Sequence, residues 1–375
     1  MSGAGLIRPE VAGLAPYEPG KPVEEVQREL GLDRVIKLAS NEGPLGPFPA
    51  ALEALARSAA ELNRYPDGGA YRLREAVAAR HGVAREQVAL GAGADGVVDC
   101  LSQATLAAGD EIVCGWPSFP SYVIDARKVG ALPRTIPLRD DRHDLAAMLA
   151  AVGPRTKLVY VCYPNNPTGT MNSRAELDAY FERVPPHVLT VLDQAYFEYV
   201  DDPDSVDGIE RYLAASRRVL VLRTFSKIYG LAGLRIGYGV GDEDVVAAIG
   251  KVRRAFDLNH QAQAAALASL GDTEEVGRRR RANAAGREAV ERALVAAGYR
   301  PASPAVANFV YADVGQDARV LFEALLRLGV IIRPLASFGA PTAIRVTVGT
   351  PEEVEVFAAA LSQVKAAPGR TEAKE

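Results

Sequence analysis

A lysine set among hydroxyl groups, with an arginine eight residues further on, marks the segment from Thr224 to Tyr238, which reads Thr-Phe-Ser-Lys-Ile-Tyr-Gly-Leu-Ala-Gly-Leu-Arg-Ile-Gly-Tyr. A primary amine can form an imine with an aldehyde, and hydroxyls with a guanidinium can hold a phosphate. An aldehyde cofactor that carries a phosphate needs both, which makes Lys227 a candidate Schiff-base lysine for pyridoxal phosphate. Taken alone the segment is only suggestive, because a lysine before a glycine-rich strand is most often a surface residue.

Two further motifs add to it. Val191 to Tyr196 reads as an apolar strand end carrying Asp193 and, three residues on, the phenol of Tyr196. A carboxylate beside a pyridine nitrogen keeps that nitrogen protonated, and a protonated ring draws electrons from a carbanion. Asp193 fits that role, and it also fits the plainer one of a helix N-cap after a strand. Tyr163-Pro164-Asn165-Asn166-Pro167-Thr168-Gly169 follows the apolar run 157–162. It therefore falls in a loop at the carboxyl end of a strand, where open α/β sheets bind ligands. Prolines fix the backbone there and an asparagine amide can donate to a ring oxygen, although a plain turn satisfies the same pattern. The run Gly91 to Gly96 joins a strand to a helix, so amides at that helix N-terminus can cradle a phosphate.

In this order the motifs Asn-Asn-Pro-Thr-Gly, Asp-x-x-Tyr and Ser-Lys with its distant Arg resemble those of the fold type I pyridoxal phosphate aminotransferases. Among these the chain is most similar to the histidinol-phosphate aminotransferases and the related aromatic amino acid aminotransferases. The resemblance runs from Lys37 to Glu353. It implies an α/β fold with a large cofactor-binding domain over 40–255, built on a mostly parallel seven-stranded sheet covered by helices. A smaller α+β domain over 256–365 takes in part of the N-terminal arm 1–39, and 366–375 is a flexible tail. Lys227, Asp193 and Tyr196 are then catalytic. The amides of Ala94 and Asp95, with Thr224, Ser226 and Arg235, hold the cofactor phosphate, and Asn166 with Tyr196 holds the ring oxygen. Phe119 stacks on the ring, with Trp116 as the competing aromatic. Tyr65 reaches the cofactor phosphate of the neighbouring subunit, so active sites form in a homodimer; capping a turn is its plainer role. Arg345, Arg333, Tyr17 and Asn166 bind substrate, a structural salt bridge being the alternative for both arginines. The implied reaction converts L-histidinol phosphate and 2-oxoglutarate to imidazole acetol phosphate and glutamate. An aromatic or specialised amino acid as donor, or a decarboxylase of phosphothreonine type, are the alternatives.

The elements that must position these residues follow from periodicity. Strand-like runs over 87–90, 111–114, 131–136, 157–162, 188–192, 218–223 and 235–240 alternate with helical stretches such as 94–107, 173–183 and 209–215. After residue 250 the pattern turns to long helices, then strands over 306–314, 330–333 and 343–348. With 375 residues, 48% of them hydrophobic, the chain can bury a large core in about two domains. A net charge of -4 gives no electrostatic reason to expect nucleic acid. The basic run Arg278 to Arg281 reads as a solvated helix face. No stretch approaches the ~20 apolar residues that cross a bilayer, and a signal-peptide core is absent, so a cytoplasmic protein is expected. The three cysteines and four histidines show no metal-ligand spacing.

Four departures from the family pattern bear on the substrate. Tyr163 stands where asparagine is usual, Gln194 replaces a glutamate, and Gly43 interrupts an Asn-Glu-Asn-Pro run. In the segment 253–261 a proline is lost while Asp257 and His260 are gained, which is expected to reshape substrate contacts.

Overall fold

Continuous apolar runs make strands that can be covered on both faces, and the largest sheet is built from seven of them. After a short strand β1 (Ile36–Lys37) come β2 (Val88–Gly91), β3 (Glu111–Trp116), β4 (Leu132–Pro137), β5 (Thr156–Cys162), β6 (Leu189–Asp193), β7 (Val219–Thr224) and β8 (Gly237–Val240). The computed structural model describes residues 5–14 and 20–366. In the large sheet the order is β2-β8-β7-β6-β5-β3-β4, with β8 antiparallel to both neighbours and the pairs from β7 to β4 parallel. Side chains of β5 alternate between two cores: Val159 and Val161 face one layer of helices, Leu158, Tyr160 and Cys162 the other. The edge strand β4, Leu-Pro-Arg-Thr-Ile-Pro, is mostly exposed, and its prolines and arginine discourage further pairing.

Register, more than strand count, decides where the polar groups gather. Cys162 pairs with Asp193, and Asp193 with Leu222, so β5, β6 and β7 end at nearly one level. The loops after them open on the same side.

A second sheet has the order β12-β13-β10-β9, formed by β9 (Arg300–Pro301), β10 (Phe309–Asp313), β12 (Arg333–Leu335) and β13 (Ala340–Thr347). Between them β11 (Val330–Ile331) pairs in parallel with β1, Ile36 opposite Val330. The N-terminal segment is thereby tied to chain some 300 residues later. A core of Val310, Ile344, Val346 and Phe357 packs this sheet against the helices Thr273–Ala296 and Pro351–Ala366.

Three expectations change. Residues 209–215 form a π-helical turn, Ile209–Leu213, rather than an α-helix. The strand anticipated from Arg235 begins at Gly237, because Arg235 takes a left-handed conformation (φ 56°) outside the extended range of a strand. The arginine run is not uniformly solvated. Helical periodicity points Arg279 inward, where it is buried, pairs with Glu275 and donates to the carbonyls of Gly46 and Ile228. At the C-terminus, Ala366 closes the last helix and 367–375 lie outside the described residues.

Candidate active site

A cavity of about 110 Å³ opens where β5, β6 and β7 end. Asp193 is the last residue of β6, Thr224 the last of β7, and Ser226 and Lys227 follow in the turn. Ala94 and Asp95, in the first turn of the helix Gly93–Thr105, form the opposite wall, with Phe119, Asn166, Tyr196 and Arg235.

Each polar group has a definable job. Asp193 is buried, and its carboxylate accepts from the Tyr122 hydroxyl at 2.5 Å and from the Ala195 amide at 3.0 Å. Burial pushes its pKa up despite these donors, so a cationic N–H facing it from the cavity would stabilise the carboxylate. Burial, and then the nearby Arg345 charge, lower the Lys227 ammonium to about 8, bringing the neutral amine within reach of ordinary pH. Its Nζ lies 5.4 Å from the centre of the Tyr196 ring. The Tyr196 hydroxyl accepts from Asn41 Nδ2 at 3.0 Å.

At the far end Gly93 (φ 77°) lies close under the guanidinium of Arg235. Its conformation is left-handed, and a Cβ would lie 2.8 Å from Arg235 Nη2. The guanidinium thus rests against the N-terminus of the helix Gly93–Thr105, where amides and helix dipole already favour an anion. A phosphate at this end, an aldehyde at Lys227 and a pyridinium nitrogen at Asp193 are chemically matched to the donors present; the residues fit pyridoxal phosphate.

Asn166 reaches the cavity because its neighbour does the bracing: Asn165 accepts from Ser118 Oγ and donates to Thr168 Oγ1, both at 2.9 Å. Asn166 Oδ1 in turn accepts from Arg345 Nη1 at 2.5 Å, and Arg345 Nη2 donates to the Ala39 carbonyl at 2.8 Å. Arg333 sits opposite Arg345 across the β12–β13 pair, and both guanidinium groups approach the ring of Phe338, at 5.7 and 5.5 Å. The two buried guanidinium groups lie at one level of the second sheet as a rim beside the cavity and do not line it: Arg345 reaches its wall through Asn166, whereas Arg333 lines a separate cavity with Lys21, Asp317 and Glu323.

Other anticipated residues are placed elsewhere. Trp116 lies against Gly339 and is not among the cavity's lining residues, whereas Phe119 is. Tyr65 is 82% exposed and does not reach the cavity of its own chain. Tyr17 lies outside the described residues.

The departures resolve structurally. Segment 253–261 does not line the cavity, contrary to expectation: Asp257 pairs with Arg253 at 3.4 Å, and His260 lies 3.6 Å from Glu61. Tyr163 is core. Gln194 accepts from the buried Arg223 at 3.0 Å and donates to the Val206 carbonyl at 2.7 Å. Glu198 and Asp207 already neutralise Arg223, so an amide serves better than a third carboxylate. At Gly43 a Cβ would stand 2.8 Å from the Lys227 carbonyl oxygen.

Sequence reasoning missed Asn41 and Tyr122. Asn41 (φ 56°) is held by Thr347 and by Asn308, which donates to its carbonyl at 3.0 Å. Its nearest sequence signal is that it stands close to Lys37, where the resemblance begins, and Tyr122 lies three residues beyond Phe119.

Comparison with known proteins adds a family. Residues 33–361 match the model of aminotransferase class I and II. Histidinol-phosphate aminotransferase of Moorella thermoacetica is 45% identical, over 96% of this chain and 93% of that protein. Histidinol-phosphate aminotransferase 2 of Pseudomonas fluorescens is 45% identical over 98% and 100%. Among solved structures, histidinol-phosphate aminotransferase from Sinorhizobium meliloti in complex with pyridoxal-5'-phosphate superposes with a TM-score of 0.88 at 31% identity, covering 97% of this chain and 98% of that one.

Proposed function

This chain belongs to the class I and II aminotransferases, and we propose that within them it moves the amino group of L-histidinol phosphate onto 2-oxoglutarate. It is a pyridoxal phosphate enzyme of fold type I. Full-length similarity to histidinol-phosphate aminotransferases supports the donor. The observation that carries the reading is the junction between cavity and rim: Lys227 and Asp193 share one cavity, and Arg345 binds Asn166 at its wall. One cationic rim serves both half-reactions, since one substrate brings a phosphate and the other carboxylates, and a guanidinium fork pairs with either.

Bound pyridoxal phosphate supplies an electron sink for the substrate carbon that loses its proton. Ala94, Asp95, Thr224, Ser226 and Arg235 would hold its phosphate, and Asp193 its ring nitrogen. The neutral amine of Lys227 would be the base in reach of the substrate Cα, taking its proton there and, as the ammonium, giving it up on the cofactor side instead of back to Cα. Tyr196, fixed by Asn41, and Asn166, fixed by Arg345, would orient the ring oxygen. The enzyme works as a homodimer in which the exposed Tyr65 donates its hydroxyl to the phosphate held in the other protomer.

The test is a panel of half-reactions. Holoenzyme is mixed separately with histidinol phosphate, phenylalanine, tyrosine, histidine and glutamate, and the change in the cofactor's absorbance is timed. Histidinol phosphate and glutamate should react fastest. Reaction with phenylalanine or tyrosine orders of magnitude faster than with histidinol phosphate would reassign the donor.

A further inference from the structure

The segment 253–261, which departs from the family pattern, and Gln263 just beyond it both reach one distant loop, 64–70. Arg253 Nη2 donates to the Gly68 carbonyl at 2.5 Å, and Gln263 Nε2 to the Asp67 carbonyl at 3.0 Å. Asp67 meanwhile accepts from the amides of Gly69 and Tyr71, starting the helix Tyr71–His81. Between these two fixed points the ring of Phe256 stacks on that of Tyr65, centroids 4.7 Å apart and planes 25° from parallel. It also flanks Gly68, where a Cβ would meet the Phe256 ring at 3.5 Å.

Two features of Phe256 are hard to explain by folding alone. It holds φ at 57°, a left-handed conformation that bulky residues rarely adopt and that persists only where surroundings enforce it. And the conformation does not bury the residue, which is 49% exposed, against a tyrosine that is 82% exposed. The backbone is strained in order to bring two aromatic rings together in solvent. A phenol on a mobile loop would lose rotamer freedom on reaching an anion in another molecule; a stacked one has already lost it.

We propose that Phe256 is a positioning residue for Tyr65. With Arg253 and Gln263 locking the loop, it presents the Tyr65 hydroxyl in a fixed direction to the cofactor phosphate held by a second copy of this chain. The proposal rests on the shared-site reading of the function. It assigns a role to Phe256 and the residues around it: setting the interface that completes a site, without touching substrate.

The experiment compares wild type, Tyr65→Phe, Phe256→Gly, Phe256→Tyr and the double variant Phe256→Gly/Tyr65→Phe. Release of pyridoxal phosphate from each holoenzyme on dialysis is followed by absorbance, subunit mass by ultracentrifugation, and Tm by calorimetry. Glycine deletes the ring and relieves the left-handed backbone together, so Phe256→Gly should fold with undiminished Tm. It should nevertheless hold cofactor about tenfold more weakly, as Tyr65→Phe does through its lost hydrogen bond. The double variant should be no weaker than Tyr65→Phe alone, and Phe256→Tyr should restore wild-type retention. Wild-type retention in Phe256→Gly, or losses that add in the double variant, would overturn the assignment. A wild-type protein that sediments as a monomer, or a Tyr65→Phe variant with normal retention, would remove the shared-site reading itself and the proposal with it.

Discussion

The cavity around Lys227 and the cationic rim around Arg345 are built by opposite strategies. The cavity is a product of short range: Asp193 and Tyr196 lie three residues apart, and Thr224, Ser226 and Lys227 within four, each group at the end of a parallel strand. The rim is a product of register. Arg333 and Arg345 face each other only because β12 and β13 pair antiparallel, and Arg345 meets Asn166 across 179 positions of sequence. Burial also acts differently on the two. It drives Lys227 and Asp193 toward their neutral forms, while guanidinium groups stay charged when buried and need anions or carbonyls around them. A site that must move protons and a site that must hold anions thus use different side chains.

The contrast breaks most sharply at the lysine. Lys227→Ala should keep its fold by circular dichroism yet lose turnover by at least about ten-thousandfold, since both the covalent anchor and the proton carrier go. Residual activity within about a hundredfold of wild type would place the base elsewhere.

At the rim the expected effect is smaller and falls on a different constant. Arg345→Lys preserves charge but loses the fork, so KM for the amino donor and for the oxo acid should both rise about ten- to hundredfold while kcat falls less. A change confined to one substrate would show that the two anions do not share this guanidinium.

The smallest effect is a titration. In the cofactor-free protein, the rate at which pyridoxal phosphate is captured should climb with pH and level off above about 8, instead of near the ordinary lysine value of 10.5. Only the neutral amine attacks, and burial makes it available early. The unfolded chain keeps the lysine proton up to its ordinary pKa, so this group adds stability to the cofactor-free protein as pH rises from about 8 to 10.5. A capture profile still rising at pH 10 would contradict the burial assigned to Lys227.

The same contrast decides what the sequence could reveal. Strands β5, β6 and β7 were legible because a buried parallel strand must be a continuous apolar run, and their loops were legible because close spacing survives any folding detail. Asn41 and Tyr122 were not. Each acts by hydrogen-bonding a group far away in sequence, Tyr196 in one case and Asp193 in the other, and residue type alone does not specify such a partner. Arg345 lay between these limits: an arginine in an apolar strand announces that an anion or carbonyl is near, but its bonds to Asn166 and Ala39 depend on register. Segment 253–261 misled because a changed sequence suggested a changed substrate pocket, whereas it does not line the cavity and Arg253 reaches Gly68 in a surface loop.

Gly43 presses directly against the Lys227 carbonyl, so two stretches of main chain 184 positions apart touch without any side chain between them. Such a contact has no proton to lose and no charge to screen. Acid, base and salt can retune every titrating group in the cavity, but the seat of the lysine is set by this close approach and by the Gly230 amide that bonds the same carbonyl at 3.0 Å, neither of which titrates.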